Sequence, residues 1–502
     1  STPFTDIRIS FDIGGISPGD YELLPLLGES FTGVGVVTGA GERLDYAQVE
    51  ERLRAEVYSA GAGAGVDPIS EKATLSFYGG ASNPEEVEKA VEWIDNFMHH
   101  SALGASSRER LVDLTRARIQ SLRAIFQQDE ESWIGNAASA YEYQDQPMYM
   151  ALSSPFTSLR HLNRLRWRLE KPSDAELAVI RSTLTAVVTL AERGDRSAAA
   201  LLVESVAGEL GEYLRWELSH LPEESWDTDM RRLCTELEQD LGRADETITR
   251  LRALGRPVLV RAGTRVHLNG NRANTELAST TVDRLLARLP QGRLPGRAPR
   301  RAVVLEQLRR RFPNLKRPVH VALVNPGGKT AALSVSVPGS RYDSRKKEEL
   351  LDVLAVGTLS GGGAHSLFMR TWAAGLAYAN GMSASLSAGK VSYYADRCPN
   401  PIQTLRFVAE TASQTKLDDP FLMEYSLAGA FGDYRAADDF SSRGASMASD
   451  LEDGRTPELV RGYKRALLRL ARDPGTLTLV RERFKRTLGR VPIGLPDGRV
   501  AA

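Results

Sequence analysis

Cysteine is almost missing from this chain: Cys234 and Cys398 are the only two in 502 residues. That excludes a disulfide framework and leaves open a single bridge at most. A chain of this length needs no such staple, because it buries a sizeable core unaided. Long apolar runs are missing too; none reaches the ~18 residues of a membrane span, so a soluble chain is expected. Net charge is missing, with Lys+Arg and Asp+Glu both at 64. The basic excess of a dedicated nucleic-acid binder is therefore lacking. The opening STPFTDIRIS has neither the basic nor the apolar region of a signal peptide. It starts at Ser1 rather than methionine, so a removed leader would leave no trace and the compartment stays unknown.

Several chemical motifs are absent as well. There is no P-loop, no GxGxxG after a strand and no GxSxG elbow. GAGAG and SGGG are rich in glycine but lack the Lys-Ser/Thr or downstream acid that phosphate binding uses. The histidines are His99, His100, His161, His220, His267, His320 and His365. A helical zinc site needs two ligands about one turn apart, and neither HExxH nor HxxEH occurs. The nearest approach is HLPEE, with His220, Glu223 and Glu224. Glu224 stands where a second histidine would be needed, and Pro222 disfavours a continuous helix, so a solvated helix end is expected. His99 and His100 point about 100° apart on a helix and do not easily share an ion. No metal ligand and no complete catalytic set is assigned to this chain.

What is present is ordinary globular composition, 42% hydrophobic and 25% charged, arranged in a repeated order. Ile7, Ile9, Phe11 and Ile13 alternate as in a half-buried strand. Two helical stretches follow, then the glycine-rich GAGAG, the strand KATLSFY (72–78), and Asn83-Pro84 opening a helix. The second half repeats this. Leu333, Val335 and Val337 alternate, and the helix RKKEELLDVLAVGTL follows. A break at Gly361, Gly362 and Gly363 precedes a helix expected from about Ser366 to Tyr378. The strand KVSYY (390–394) and a helix after Asn400-Pro401 complete the copy. The expected class is α+β: two homologous domains, each an antiparallel sheet covered by helices. The first spans 1–275, with a long helical insertion at about 105–250 and closing strands in RPVLVRAGTRVHLNG (256–270). A basic Pro/Gly linker is expected over 276–302, and the second domain over 303–502.

Residues 251–320 carry sixteen Lys/Arg against three Asp/Glu. An adaptor for nucleic acid or an acidic partner is one reading of that stretch; a solvated linker is the other. Only Phe312 interleaves with the arginines beyond QGRLPGRAPRR (291–301), so no stacking platform is visible.

The most informative segment is SGGGAHSLFMRTWAAGLAYANG, residues 360–381. A glycine turn feeds a helix bearing Arg370, then Tyr378, with Asn380-Gly381 expected as a turn into the next strand. Eight positions apart on one helix, Arg370 and Tyr378 would lie about two turns apart, within reach of two carbonyls of an extended peptide. A surface arginine and a core tyrosine would give the same spacing.

This segment resembles the Arg/Tyr substrate-binding motif in the C-terminal half of pitrilysin/insulysin-type zinc metalloproteases, the inverzincin clan. GGG, SLF, Arg370 and GLAY carry the likeness. It is tight over 360–381 and extends over most of the chain as element order, with a lean toward the presequence-protease branch. Two departures stand out: the zinc motif is absent, and the Arg-to-Tyr spacing is one residue longer than the commonest. The resemblance implies half of a clamshell chamber for peptide hydrolysis. Zinc, with its HxxEH ligands and general base, would sit on a partner subunit or N-terminal half. Arg370 and Tyr378 would bind substrate and stabilise the transition state, and the chain would be inactive alone. The alternative is a catalytically inert pseudo-protease subunit with a structural or assembly role.

Overall fold

The computed structural model describes residues 4–293, 300–311, 329–361, 363–414, 420–432, 440–476, 478–480 and 482–483, with 296 and 314. The alternating Ile7, Ile9 and Phe11 form strand β1 (Thr5–Asp12) and are almost wholly buried, as is Ile13 just beyond it. A short ribbon, β2 (Val36–Val37) with β3 (Arg43–Leu44), follows. Then come β4 (Ser59–Asp67), β5 (Lys72–Ala81) and, far along the chain, β6 (Arg265–Asn269). The main sheet runs β4-β5-β1-β6, antiparallel throughout. Ile9 pairs with Phe77 and Phe11 with Leu75, so the apolar residues share one face.

Helices cover that face. Asn83 caps the helix Pro84–His100 by accepting from the Glu86 amide, with proline at its first position. This helix buries Val87, Val91, Ile94 and Phe97. The helix Arg272–Ala287 adds Ala278, Val282 and Leu285 to the same core. From Glu276 onward it occupies part of the expected linker, because three buried apolar positions tie it to this core. The GAGAG segment, given no strand in the sequence reading, lies in the edge strand β4. Its alanines pack on the core, while Gly61 lies beneath the Tyr78 ring, where a Cβ would meet the hydroxyl at 2.5 Å. Of RPVLVRAGTRVHLNG, only Arg265–Asn269 is a strand. Its start belongs to the helix Ala244–Val258, whose Gly255 lets the Phe31 ring pack closely.

The expected helical insertion is helical, and several of its helices share a second core around Trp167, Val187, Leu214, Met230 and Leu237. An ion network joins it to Pro18–Leu26. Asp240, whose side chain is 0% exposed, accepts from Arg164 at 2.7 Å and Arg168 at 2.6 Å. Glu22, from Pro18–Leu26, takes Arg164 at 3.0 Å and Arg168 at 2.5 Å.

Two titratable side chains in this region oppose each other. Burial pushes Glu217 up to about 7, against the neighbouring Arg123 and Arg160 and a hydrogen bond from Tyr213. Burial pushes His161 down to about 3, reinforced by Arg160, Arg164 and Arg168; its Nδ1 has no hydrogen-bond partner among the described residues. Between the ordinary carboxyl value and about 7, the folded state binds more protons at Glu217 than the unfolded state does, so stability falls as pH rises. At His161 the folded state binds fewer between about 3 and 6.5, so stability rises. The two slopes offset each other in mild acid. Glu217→Gln removes one of them. From pH 4.5 to 7.5 its stability relative to wild type should move in the variant's favour by about 2–3 kcal/mol. Urea unfolding at the two pH values checks this; an unchanged gap would contradict it.

The chain divides into two compact units, 1–124 with 140–319, and 125–139 with 320–502. The second therefore takes a stretch that the sequence reading placed in the first domain; the short helix Glu130–Ser132 packs on its sheet. That sheet consists of β7 (Ala331–Pro338), β8 (Ala379–Ser385) and β9 (Lys390–Cys398), in the order β7-β9-β8, again antiparallel. This matches β1-β5-β4 of the first unit, so both carry the same three-stranded arrangement. Asn380-Gly381, expected as a turn, lies inside β8. Gly381 sits against the Tyr394 ring, where a Cβ would meet Cε1 at 2.8 Å, so cross-strand packing excludes a side chain there. The core of this unit gathers Leu354, Leu359, Leu367, Tyr393, Ala395, Tyr463 and Leu467. Among the described residues, no helix is long and apolar enough to cross a membrane.

Candidate functional site

The segment that bears Arg370 and Tyr378 is built by two helix-end devices. Ser366 is wholly buried, and its hydroxyl accepts from the Met369 amide, starting the helix Leu367–Ala373. The helix stops after two turns. Gly375 takes φ +68°, its amide bonds Trp372 O, and the Leu376 amide reaches back to Thr371 O. This is a Schellman ending, and a left-handed residue there favours glycine. Tyr378 is therefore not on the helix, contrary to the sequence expectation.

The GLAY segment is anchored instead to its neighbours. Thr404, buried in the helix Pro401–Gln414, donates to Leu376 O at 2.9 Å, and Ala377 is buried. The Tyr378 amide donates to Asp396 O and starts the pairing of β8 with β9. The Tyr378 ring, 65% exposed, projects from the mouth of the edge strand. It is not a core tyrosine. Arg370 is half-buried, one short connection away. Gly362, His320 and Phe312 lie outside the described residues, as does part of 291–301.

The sequence reading missed Arg397. Its guanidinium carbon lies 5.1 Å from the Tyr378 ring centroid, in cation–π range. Its Nε donates to Glu131 at 2.8 Å and its Nη2 to Asp129 at 3.3 Å. Arg397 has φ +50°, rare for a residue with a Cβ, at the point where the β7–β9 register shifts. Beside it, burial and then Glu131 raise the Asp396 carboxyl above its ordinary value, against Arg397. No local pattern announces Arg397: the bulge and the acidic segment 129–131 create its role.

The other candidates are spent structurally. His220 ends the helix Gly208–His220 and stacks on Trp216 at 4.1 Å, with Nδ1 2.6 Å from Trp216 O, while Glu223 and Glu224 are exposed. His99 pairs with Asp95 at 2.7 Å. Among the described residues, no group of three His, Cys, Asp or Glu side chains is placed to hold a metal ion. Both cysteines are free and buried. Burial pushes the Cys234 thiol up to about 12 and raises that of Cys398, so neither is an activated nucleophile. Several arginines of the basic stretch are matched within their own unit: Arg288 with Asp95, Arg300 with Glu71 and Asp145, and Arg301 with Glu306.

No family model matches this chain, and no curated protein sequence matches it. Solved structures do. A conserved protein from Enterococcus faecalis V583 is similar at TM-score 0.54 and 12% identity, over 97% of this chain and 92% of that one. At that identity the likeness shows the fold alone. A peptidase M16 inactive domain from Pseudomonas fluorescens gives TM-score 0.45 at 12% identity, over 97% of this chain and 90% of that one. The periplasmic protease PqqL from Escherichia coli gives 0.48 at 14% identity, over 96% of this chain and 41% of that one. Those two likenesses are too distant to carry an argument.

Proposed function

We propose that this chain is the non-zinc half of a two-part zinc metallopeptidase, holding peptide with Arg370 and Tyr378 opposite a half that carries the metal. The observation that carries this reading is the Tyr378 ring. It is exposed at the mouth of an edge strand, next to a helix bearing Arg370, within the segment that resembles the Arg/Tyr motif. An edge strand offers free backbone groups to an extended peptide. Tyr378 has a hydroxyl and Arg370 a guanidinium, donor groups of the kind that hold a substrate carbonyl or the oxyanion that forms from it. In this reading the metal and the general base belong to the partner; among the described residues no group of three His, Cys, Asp or Glu side chains is placed to hold the ion. When bound there, zinc would polarise the scissile carbonyl and activate water.

Two measurements test this. The purified chain should bind no stoichiometric zinc, and in its native source it should co-purify with a polypeptide of similar size carrying HxxEH. One tightly held zinc per chain, lost on His220→Ala or Glu223→Ala, would overturn the reading. So would full peptidase activity from the lone chain. A partner without HxxEH, in an inactive complex, would favour the assembly role.

A further inference from the structure

A cleft of about 360 Å³ opens beside β8, lined by Leu359, Phe368, Asn380, Gly381, Met382 and Tyr394 among others. Its size is at the low end of ligand pockets, enough for one large side chain. The walls mix polar and apolar groups, Ser360 and Gly361 among them, and none of these residues is charged. Asn380 is 3% exposed. Its Nδ2 donates to Phe368 O at 3.2 Å, which sets the orientation of the amide. Its Oδ1 is then an acceptor without a partner among the described residues. A buried acceptor left unmatched costs free energy, so a donor arriving from a ligand would gain what the fold forgoes.

Position adds to this. β8 is the edge strand of its sheet among the described residues, and three consecutive β8 residues line the cleft. Gly381 carries no side chain, which leaves the space over the strand there to the Tyr394 ring. In a peptide added to an edge, alternate side chains point to the same face.

We infer that this cleft is a specificity pocket for an aromatic side chain with a ring donor, tryptophan or tyrosine, in an extended peptide lying along β8. The ring packs against Phe368 and Met382, and its N–H or O–H donates to Asn380 Oδ1. This rests on the reading of the Tyr378 region as a peptide-holding surface, but its test requires no cleavage.

The experiment measures binding of acetylated pentapeptides Thr-Val-X-Val-Thr-amide to the full chain by calorimetry, with X as Trp, Tyr, Phe or Ala. Trp and Tyr should bind about 10-fold tighter than Phe, the step expected for one matched buried acceptor, and Ala weakest. Asn380→Leu should erase the preference for Trp and Tyr over Phe while Phe binding persists. Ser360→Phe, at a half-buried position lining the cleft, should block all four peptides. Circular dichroism shows which variants fold; if Asn380→Leu does not, Ser360→Phe decides. Equal affinity for Trp and Phe in the wild type would overturn the inference. So would a preference that survives Asn380→Leu, or binding unchanged by Ser360→Phe. An aromatic preference in a chain whose complex cleaves nothing would sink the peptidase reading alone; cleavage without that preference would sink only the pocket.

Discussion

Tyr378→Phe, assayed in the chain joined to its zinc-bearing half, should lower kcat/KM by roughly 10- to 1000-fold while the melting temperature stays unchanged. The substitution removes one hydroxyl and keeps the ring, so the contact with Arg397 at 5.1 Å survives. The ring is 65% exposed, so no core packing is lost. A donor aimed at developing negative charge is worth about 100- to 1000-fold in turnover, whereas the same hydroxyl in water is worth almost nothing to folding. Arg370→Ala should cost as much or more, mostly through substrate binding. Steady-state kinetics and thermal melts on the same preparations separate the two roles. Cleavage unaffected by Tyr378→Phe would move the chain to the inert assembly reading.

The largest effect on stability should come from Asp240→Ala. Its carboxylate is the shared acceptor of Arg164 and Arg168. The side chain of Arg168 is only 5% exposed and that of Asp240 0%. Removing the carboxylate leaves Glu22 as the remaining ion-pair partner of the two cations among the described residues, and orphaning a buried charge costs about 3–5 kcal/mol. Loss of the exposed pair Arg272–Glu276, with side chains 92% and 66% exposed, should cost under ~0.5 kcal/mol. Denaturant unfolding of Asp240→Ala and Arg272→Ala makes the comparison. Adding Arg168→Met to Asp240→Ala should restore part of the loss, because the uncompensated cation goes with it. Equal midpoints for the two single variants would show that the network contributes nothing.

Local pattern made much of the fold legible. β1 could be read because four large apolar residues alternate, and a period of two puts them on one face. The Pro84–His100 helix could be read because Asn83 and Pro84 satisfy its first turn locally. β4 and β8 were not legible as strands. In β4 the alternation is of alanine with glycine, which carries little hydrophobic signal, and in β8 Asn-Gly mimics a turn. The helix bearing Arg370 was read as reaching Tyr378 because one glycine in a helical run costs only ~1 kcal/mol and does not by itself decide an end. The ending was settled by Gly375 entering the left-handed region and by Thr404 holding Leu376.

Sequence alone determined the α+β class and the repeated order of elements, and it singled out the Arg370–Tyr378 segment that the proposed function uses. These depend on periodicity, capping and residue type over a few turns of chain, which are short-range properties. Tertiary structure decided that Tyr378 is exposed at a strand mouth, that Arg397 lies against it, and that residues 125–139 belong with the second sheet. It decided also that Glu22, Arg168 and Asp240 meet, and that Asn380 keeps a buried acceptor open. Each of these joins residues far apart in sequence, or turns on whether one atom finds a partner. Packing sets such encounters, because the energy of a contact depends on what surrounds it, and no local pattern records that.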